Sequence, residues 1–548
     1  MQTNWWQNAV FYQVYPRSFQ DSNGDGIGDI QGIIQRLDYL ADLGVNAIWL
    51  SPVYQSPNVD NGYDISDYQA INPEYGSMVD MEQLIEAAKI RKIKIVMDLV
   101  VNHTSDQHPW FLEARKSKDN PYRDFYIWRD PATDGSVPND LQSNFKGSAW
   151  AFDAVTGQYY LHFYAKEQPD LNWQNPKVRE AVYQMMTWWL QKGIGGFRMD
   201  VIDLIGKEPD RKIKENGPQL HAYLQEMNAR VLSQYDVVTV GETWGATPEI
   251  GQMYSNPNRH ELSMIFQFEQ INLDKQSGMT RWDLKPLIPA ELHAVFSKWQ
   301  LALDGVGWNS LFWSNHDLPR IVSRWGDDSQ YREKSAQALA IYLHMLKGTP
   351  YIYQGEEIGM TNYPITSYHE IEDIESRRVY QQRQQQGYAI SDILNGINAK
   401  GRDNARHPMQ WNGKNQSGFT DGTPWLPVNP NYLEINVELA KQDERSIYAT
   451  YQQLIKLRKR NAIIRQGRFE NVPTGNQNVI SYKRMLGEQS WLVIINLSKN
   501  RESYTLPIQH FGPSQKIISN NLLLNKIATS GVLQPYDALV VAMGNEEK

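Results

Sequence analysis

The chain has 548 residues, more than one folding unit at about 100–200 residues per domain, with 54 Lys plus Arg against 62 Asp plus Glu and a formal charge of −8. A pI near 5.8 leaves no basic footprint for nucleic acid or an anionic membrane, and the absence of cysteine removes disulfides, thiol nucleophiles and Cys-held metals together. No run approaches the ~20 apolar residues of a membrane helix, and residues 1–13 lack the basic patch and apolar run of a signal peptide, so the starting expectation is a soluble, cytoplasmic monomer with no membrane partner. The 18 Trp and 30 Tyr suit the C–H faces of sugars, although such rings also fill ordinary cores.

Taken in chain order, β-branched or aromatic runs occur at residues 10–15, 47–50, 93–101, 196–200, 237–242, 264–268, 309–313 and 350–354. Segments with helical periodicity separate them. Ile30, Ile33, Ile34, Leu37, Leu40 and Leu43 return every three or four positions, which predicts one helix over 30–43, and 81–91 behaves alike. Strand then helix, eight times, predicts an α/β fold: a closed (β/α)8 TIM barrel. The open doubly wound sheet is the rival, but no glycine-rich dinucleotide turn follows a strand. More chain than one helix requires lies between the third and fourth strands. The excess is rich in Pro, Asp, Asn, Trp and Tyr, a loop-rich insert on the barrel's C-terminal face. Late in the chain, strand-like runs at 479–484, 490–497 and 538–542 predict a C-terminal antiparallel β-domain. The expected organisation is a barrel over 1–103 and 171–463, an inserted domain over 104–170 shaping a pocket, and a β-sandwich over 464–548.

Polar side chains at the C-terminal ends of barrel strands converge on one funnel. There the sequence offers Asp98-Leu-Val-Val-Asn102-His103, then Arg198-Met-Asp200, then Glu242-Thr-Trp244, then Asn315-His316-Asp317. Singly, each acid reads as a turn or cap residue; together they are hard to explain by packing. No G-x-S-x-G elbow, HExxH or P-loop is present. What remains is carboxylate chemistry, one proton donor and one anion across a developing oxocarbenium ion. Arg198 beside Asp200 would keep that aspartate ionised as a nucleophile. Glu242 near Trp244 would have its pKa raised by desolvation and hold a proton.

The segments 98–103, 168–173 (Gln168-Pro-Asp-Leu-Asn-Trp173), 196–203, 241–244 and 315–317, in this order, resemble the conserved regions of the α-amylase family of glycoside hydrolases, family 13. Within it the chain is similar to the oligo-1,6-glucosidase and dextran glucosidase (glucan 1,6-α-glucosidase) group; Asp60-Asn-Gly-Tyr63-Asp, Gly355–Asn362 and Gly401-Arg402-Asp-Asn-Ala-Arg406 add to the match. The resemblance implies that Asp200 is the nucleophile, Glu242 the acid then base, and Asp317 the residue gripping the ring hydroxyls. It implies that Tyr63, His103, Arg198 and His316 line the subsite for the non-reducing glucose, and that Asp60 and Arg402 form an ion pair closing its far end, with Arg406 as the rival for that clamp. A closed end would permit only exo cleavage of a small oligosaccharide.

In such relatives the residue after the nucleophile tracks linkage, Val with α-1,6 bonds and Ala or Thr with α-1,4; here it is Val201. The bland reading is a β-strand valine. Glu375 resembles an acceptor-subsite residue of the group, and Arg281 stands where dextran glucosidases carry Lys. The loop Asp21-Ser-Asn23-Gly-Asp25-Gly-Ile27-Gly-Asp29 has oxygen ligands at alternate positions and Gly at the sixth, as in an EF-hand, but Gly32 at the twelfth. The resemblance implies a structural Ca²⁺ there, held by Asp21, Asn23, Asp25 and Asp29 side chains and the Ile27 carbonyl, with no organic cofactor. An α-1,4-glucosidase, a trehalose-6-phosphate hydrolase or a sucrose isomerase would share the three carboxylates. The isomerases carry Arg-Leu-Asp-Arg-Asp where this chain reads Asn272-Leu-Asp-Lys275-Gln. A non-enzymatic transporter subunit would have a membrane helix and lose catalytic acids, and this chain does neither.

Overall fold

The eight apolar runs become strands because parallel strands covered on both faces need side chains that can be buried both ways. A computed structural model of the chain describes residues 4–507 and 514–544. In it the strands are Phe11–Val14, Ala47–Leu50, Lys94–Leu99, Gly196–Met199, Val238–Thr243, Met264–Gln267, Ser310–Phe312 and Thr349–Tyr353. All their residues except Lys94 are buried. Numbered along the chain, their hydrogen-bonded order is sixth, fifth, fourth, third, second, first, eighth, seventh, the succession of a (β/α)8 barrel. The ladders between the third, fourth, fifth and sixth strands are parallel, as are those of the eighth strand with the first and the seventh.

The chain forms two compact units, residues 29–37 with 47–267, and residues 1–28 with 38–46 and 268–548. In the first, the third strand is followed by an excursion that leaves at His103 and returns at Asp170, the two joined by an antiparallel bridge. The excursion contains the helix Pro109–Ala114 and a three-stranded sheet of Trp128–Arg129, Gln158–Leu161 and Trp150–Asp153 in that order. Ile127, Ala149, Trp150, Leu161 and Phe163 form its own small core.

The second unit carries the C-terminal strands. Arg468–Asn471, Val479–Leu486, Gln489–Asn496, Ala538–Met543 and Ser514–Ser519 make a five-stranded antiparallel sheet in that order, beside a two-stranded pair, Glu502–Thr505 with Ser530–Leu533. Its hairpin turns at Gly487 with φ of 57°, in a two-residue connection between Leu486 and Gln489 of the type that needs a left-handed residue. Val479, Leu492, Ile494, Leu533, Leu539 and Val541 lie in its core.

One sequence expectation is corrected. The single helix over 30–43 is two, Ile30–Gln35 and Leu37–Leu43. Arg36 leaves helical geometry at φ −102°, ψ 3°, its N–H taken by the Ile33 and Ile34 carbonyls. A one-residue interruption preserves the three-to-four spacing, so Leu37, Leu40 and Leu43 stay buried and the periodicity hides the break. The segment expected at 81–91 begins earlier, at Met78, because Ser77 and Asp80 form a capping box.

Candidate active site

Strand register builds the centre of the first unit. Asp98 of the third strand is level with Arg198 of the fourth, which is level with Val240 of the fifth. Glu242, still within the fifth strand, therefore falls level with Asp200, one step past the end of the fourth, and Arg198 and Asp200 point the same way because strand side chains alternate.

Arg198, 1% exposed, is the hub. Its Nη1 donates to Asp98 Oδ1 and to Asp200 Oδ1, each at 2.8 Å, and its Nη2 lies 2.6 Å from Glu242 Oε2. One guanidinium thus holds the carboxylates of Asp200 and Glu242 together. Burial alone would lower the Arg198 pKa, but Asp98, Glu242 and Asp200 around it push it well above the usual arginine value. Asp98 is pushed up to about 6 by burial, with Arg198 pulling against it; it also accepts from Trp49 Nε1 at 3.1 Å and the Tyr63 hydroxyl at 3.0 Å. Glu242 Oε2 accepts the Val201 N–H at 3.0 Å and Oε1 the Trp244 indole N–H at 3.2 Å.

Val201 is not a strand residue. The fourth strand ends at Met199, and Val201 sits at φ 36°, ψ 45°, a left-handed conformation that a β-branched residue rarely adopts. Strand propensity therefore does not account for valine here.

Around this centre His103 is buried, accepts from Asn102 Nδ2 through Nδ1 at 3.1 Å, and places Nε2 3.0 Å from the Tyr63 carbonyl. Burial lowers its pKa to about 4, so the ring is neutral at pH 7. Gln168 reaches Asp60 Oδ2 at 3.3 Å and the Tyr63 carbonyl at 3.2 Å. Asp64 accepts the Val59 and Asp60 N–H groups and fixes the bend that carries Asp60. Lys207, buried, pairs with Asp170 at 3.0 Å. Asp64 and Lys207 were not singled out by sequence, since a turn acid and an isolated lysine carry no pattern.

The second unit holds another charged cluster. His316 accepts the Gln13 side-chain amide N–H at Nδ1 at 2.8 Å, has Nε2 3.3 Å from Asp317 Oδ2, and stacks on Tyr15 at 6.0 Å. Asp317 Oδ1 takes Arg406 Nη2 at 2.8 Å and Arg402 Nη1 at 3.3 Å. Sequence spacing could not separate these two arginines, and here both engage Asp317. Arg402 also donates to Asp373 at 2.7 Å. Although burial would raise the Asp373 pKa, Arg402 and Arg406 hold it well below the usual carboxylate range. Asp373 was not singled out by sequence.

A model of the alpha amylase catalytic domain matches residues 13–467. The chain belongs to the α-amylase family. It is 55% identical to a glucan 1,6-alpha-glucosidase of Streptococcus pneumoniae, over 99% of this chain and all of the relative. It is 53% identical to an oligo-1,6-glucosidase of Halalkalibacterium halodurans over the full length of both. Among solved structures it resembles a Bacillus licheniformis trehalose-6-phosphate hydrolase, with a TM-score of 0.96, 46% identity, and 99% of this chain and 100% of that one covered.

Two further sites in this α-amylase family chain were expected from sequence. Arg281 and Glu375 are joined, Nη2 to Oε2 at 2.9 Å. In the 21–29 loop Asp21 accepts the N–H groups of Asn23, Gly24 and Gly26 and the Thr420 hydroxyl. Asn23 accepts from Asp25, and Asp25 from Ile27, while Asp29 caps the next helix through the Gly32 N–H. Gly26 turns at φ 92°, and a Cβ there would lie 1.8 Å from the Thr423 carbonyl oxygen. Among the described residues no three His, Cys, Asp or Glu side chains gather as metal ligands, so Asp21, Asp25 and Asp29 do not converge on one point here and instead accept nearby backbone N–H groups. The ligand set that the resemblance implies is all hard oxygen, a chemistry that would suit Ca²⁺ rather than a transition metal.

Proposed function

We propose that the protein is a retaining, exo-acting α-glucosidase that hydrolyses α-1,6-glucosidic bonds at the non-reducing ends of isomalto-oligosaccharides and dextran fragments. The observation that carries this reading is the single buried guanidinium of Arg198 holding Asp200 and Glu242 at once, two carboxylates close enough to flank one anomeric carbon. The names of the full-length relatives and Val201 beside the nucleophile support the linkage.

In this mechanism an Asp200 oxygen attacks the anomeric carbon as the bond to the departing sugar oxygen breaks, and Glu242 gives that oxygen its proton. Water then attacks the glucosyl ester and passes a proton to Glu242, and Asp200 leaves as a carboxylate. Two inversions give retention, and one water is consumed per bond. The Arg198 cation favours the anionic form of Asp200. Asp317, Tyr63, His103, His316, Asp60 and Arg402 keep the substrate-holding roles that family membership implies. A phosphosugar acceptor would need a cation to receive it; Arg281 is paired with Glu375 but its buried Nε has no hydrogen-bond partner, so trehalose 6-phosphate belongs among the substrates to be tested. A Ca²⁺ held in the 21–29 loop would be structural. No helix among the described residues is long and apolar enough to cross a membrane, and the absence of cysteine suits the proposed cytoplasmic monomer.

The test is a product assay on isomaltose, panose, maltose, sucrose and trehalose 6-phosphate. Isomaltose should be cleaved faster than maltose, with α-glucose as the first product, and Asp200→Asn and Glu242→Gln should lose this activity. Faster turnover of maltose would make the enzyme an α-1,4-glucosidase, and preference for trehalose 6-phosphate would make it a phosphosugar hydrolase.

A further inference from the structure

The residues that follow the nucleophile reach both oxygens of the proton donor by different routes. Val201 presents its N–H directly to Glu242 Oε2 at 3.0 Å. Two residues later Asp203, 1% exposed, accepts the backbone N–H groups of Trp244 at 2.9 Å and Gly245 at 3.4 Å through one oxygen. Trp244 in turn gives its indole N–H to Glu242 Oε1 at 3.2 Å. The Trp244 residue is 42% exposed, so packing alone does not hold its ring. We propose that Asp203 is a positioning residue for the proton donor: by tying down the Trp244 main chain it aims the indole N–H at Glu242, while Val201 holds the other oxygen.

The local architecture is built for such a connection. Ile202, between the two, packs over Gly241, where a Cβ would lie 2.9 Å from the Ile202 methyl group. The turn after the fourth strand is thereby pressed onto the fifth, directly beside Glu242. Asn216 ties the same joint from outside, donating its backbone N–H to the Asp203 carbonyl at 2.9 Å and its side-chain amide to the Gly245 carbonyl at 3.3 Å.

The protonation of Asp203 fits the role. Burial first, and then the nearby Glu215 and Glu242, push its pKa up to about 8 against the pull of the two amide N–H groups. At pH 7 it is therefore chiefly neutral, and it accepts both N–H bonds without placing a negative charge beside the proton donor. Its other oxygen, buried, has no hydrogen-bond partner. Asparagine, neutral and of the same shape, should serve almost as well.

This inference rests on Glu242 being the acid of the proposed hydrolase, and the test separates the two. Isomaltose has a poor leaving group and needs a proton; 4-nitrophenyl α-glucoside has a good one and hardly does. For Asp203→Ala, kcat/KM on isomaltose should fall ~10-fold or more, and on the aryl glucoside by less than ~3-fold, because only the first depends on an aimed acid. Asp203→Asn should stay near the wild type on both. Trp244→Phe, which keeps an aromatic ring but has no ring N–H and is smaller, should show the same split as Asp203→Ala and carries the test should that variant fail to fold. An equal fall on both substrates, no fall on isomaltose, or an Asp203→Asn as impaired as Asp203→Ala would overturn the proposal. Glu242→Gln is the control. If it is dead on isomaltose while no split appears, only the positioning role fails; if it retains wild-type activity, the catalytic assignment fails first and the positioning role with it.

Discussion

Val201 shows how much one residue can carry. Its side chain is buried beside the nucleophile, and its backbone is held left-handed at φ 36°, at a cost of about 1–2 kcal/mol for an L-residue. A strained β-branched residue next to a reacting group is retained where the surroundings over-determine it, here by the hydrogen bond to Glu242 and the packing of Ile202. Replacing it by alanine keeps the N–H and removes two methyl groups. Val201→Ala should therefore preserve hydrolysis but shift the ratio of isomaltose to maltose kcat/KM toward maltose by about 10-fold, the worth of a methyl-scale change in a pocket. An unchanged ratio would show that the Val201 side chain does not set linkage. The reacting acids themselves were readable as residue types at strand ends. The residues that hold them were not: Asp64, Lys207 and Asp373 are common residue types in unpatterned loops, and the partners of Lys207 and Asp373, Asp170 and Arg402, lie far away in sequence.

At the scale of elements, the stretch Gly355–Asn362 helped to mark the family, yet its acids serve the fold. It forms the tight turn Glu356–Ile358 just after the eighth strand, bounded by left-handed Gly355 and Gly359. Glu357 accepts the Tyr12 hydroxyl of the first strand at 2.7 Å and the Tyr39 hydroxyl of the helix Leu37–Leu43 at 2.5 Å. Glu356 accepts that of Tyr451, on the helix Ile447–Arg460, at 2.7 Å. Burial is the main cause that pushes Glu356 up to about 8 from its ordinary 4.5. A carboxyl with a raised folded-state pKa binds its proton more tightly when folded. Its contribution is full below pH 4.5 and is lost as pH rises toward 8, at about 1.4 kcal/mol per pH unit within that window. Glu356→Gln should accordingly flatten the decline of the thermal midpoint between pH 5 and pH 8. A parallel decline in both proteins would remove Glu356 from this role. Strand positions were legible here because the hydrophobic pattern is local. The break at Arg36 and the start at Met78 were not, since one depends on a single dihedral and the other on a capping contact.

For the molecule as a whole, the proposed Ca²⁺ provides a test that does not involve activity. A ligand bound to the folded chain alone stabilises it by mass action, about 2.7 kcal/mol at a hundredfold excess over Kd. Chelation should therefore lower the thermal midpoint by several degrees, with restoration by Ca²⁺ but not by Mg²⁺, whose smaller octahedral shell the loop suits less well. Asp25→Ala should abolish the response. A midpoint indifferent to chelator would leave the loop as a turn built on Asp21 and Gly26 alone.

The sequence by itself determined the order of strands and helices, the absence of thiol chemistry, and the carboxylates, imidazoles and guanidinium available at strand ends. These follow from short-range periodicity and composition, which are properties of neighbouring residues. Only the tertiary structure decided that one guanidinium serves both Asp200 and Glu242, that Arg402 and Arg406 share Asp317, and that Val201 lies outside the strand in a left-handed turn. Those outcomes come from register between strands and from burial, which bring together groups that no local pattern connects.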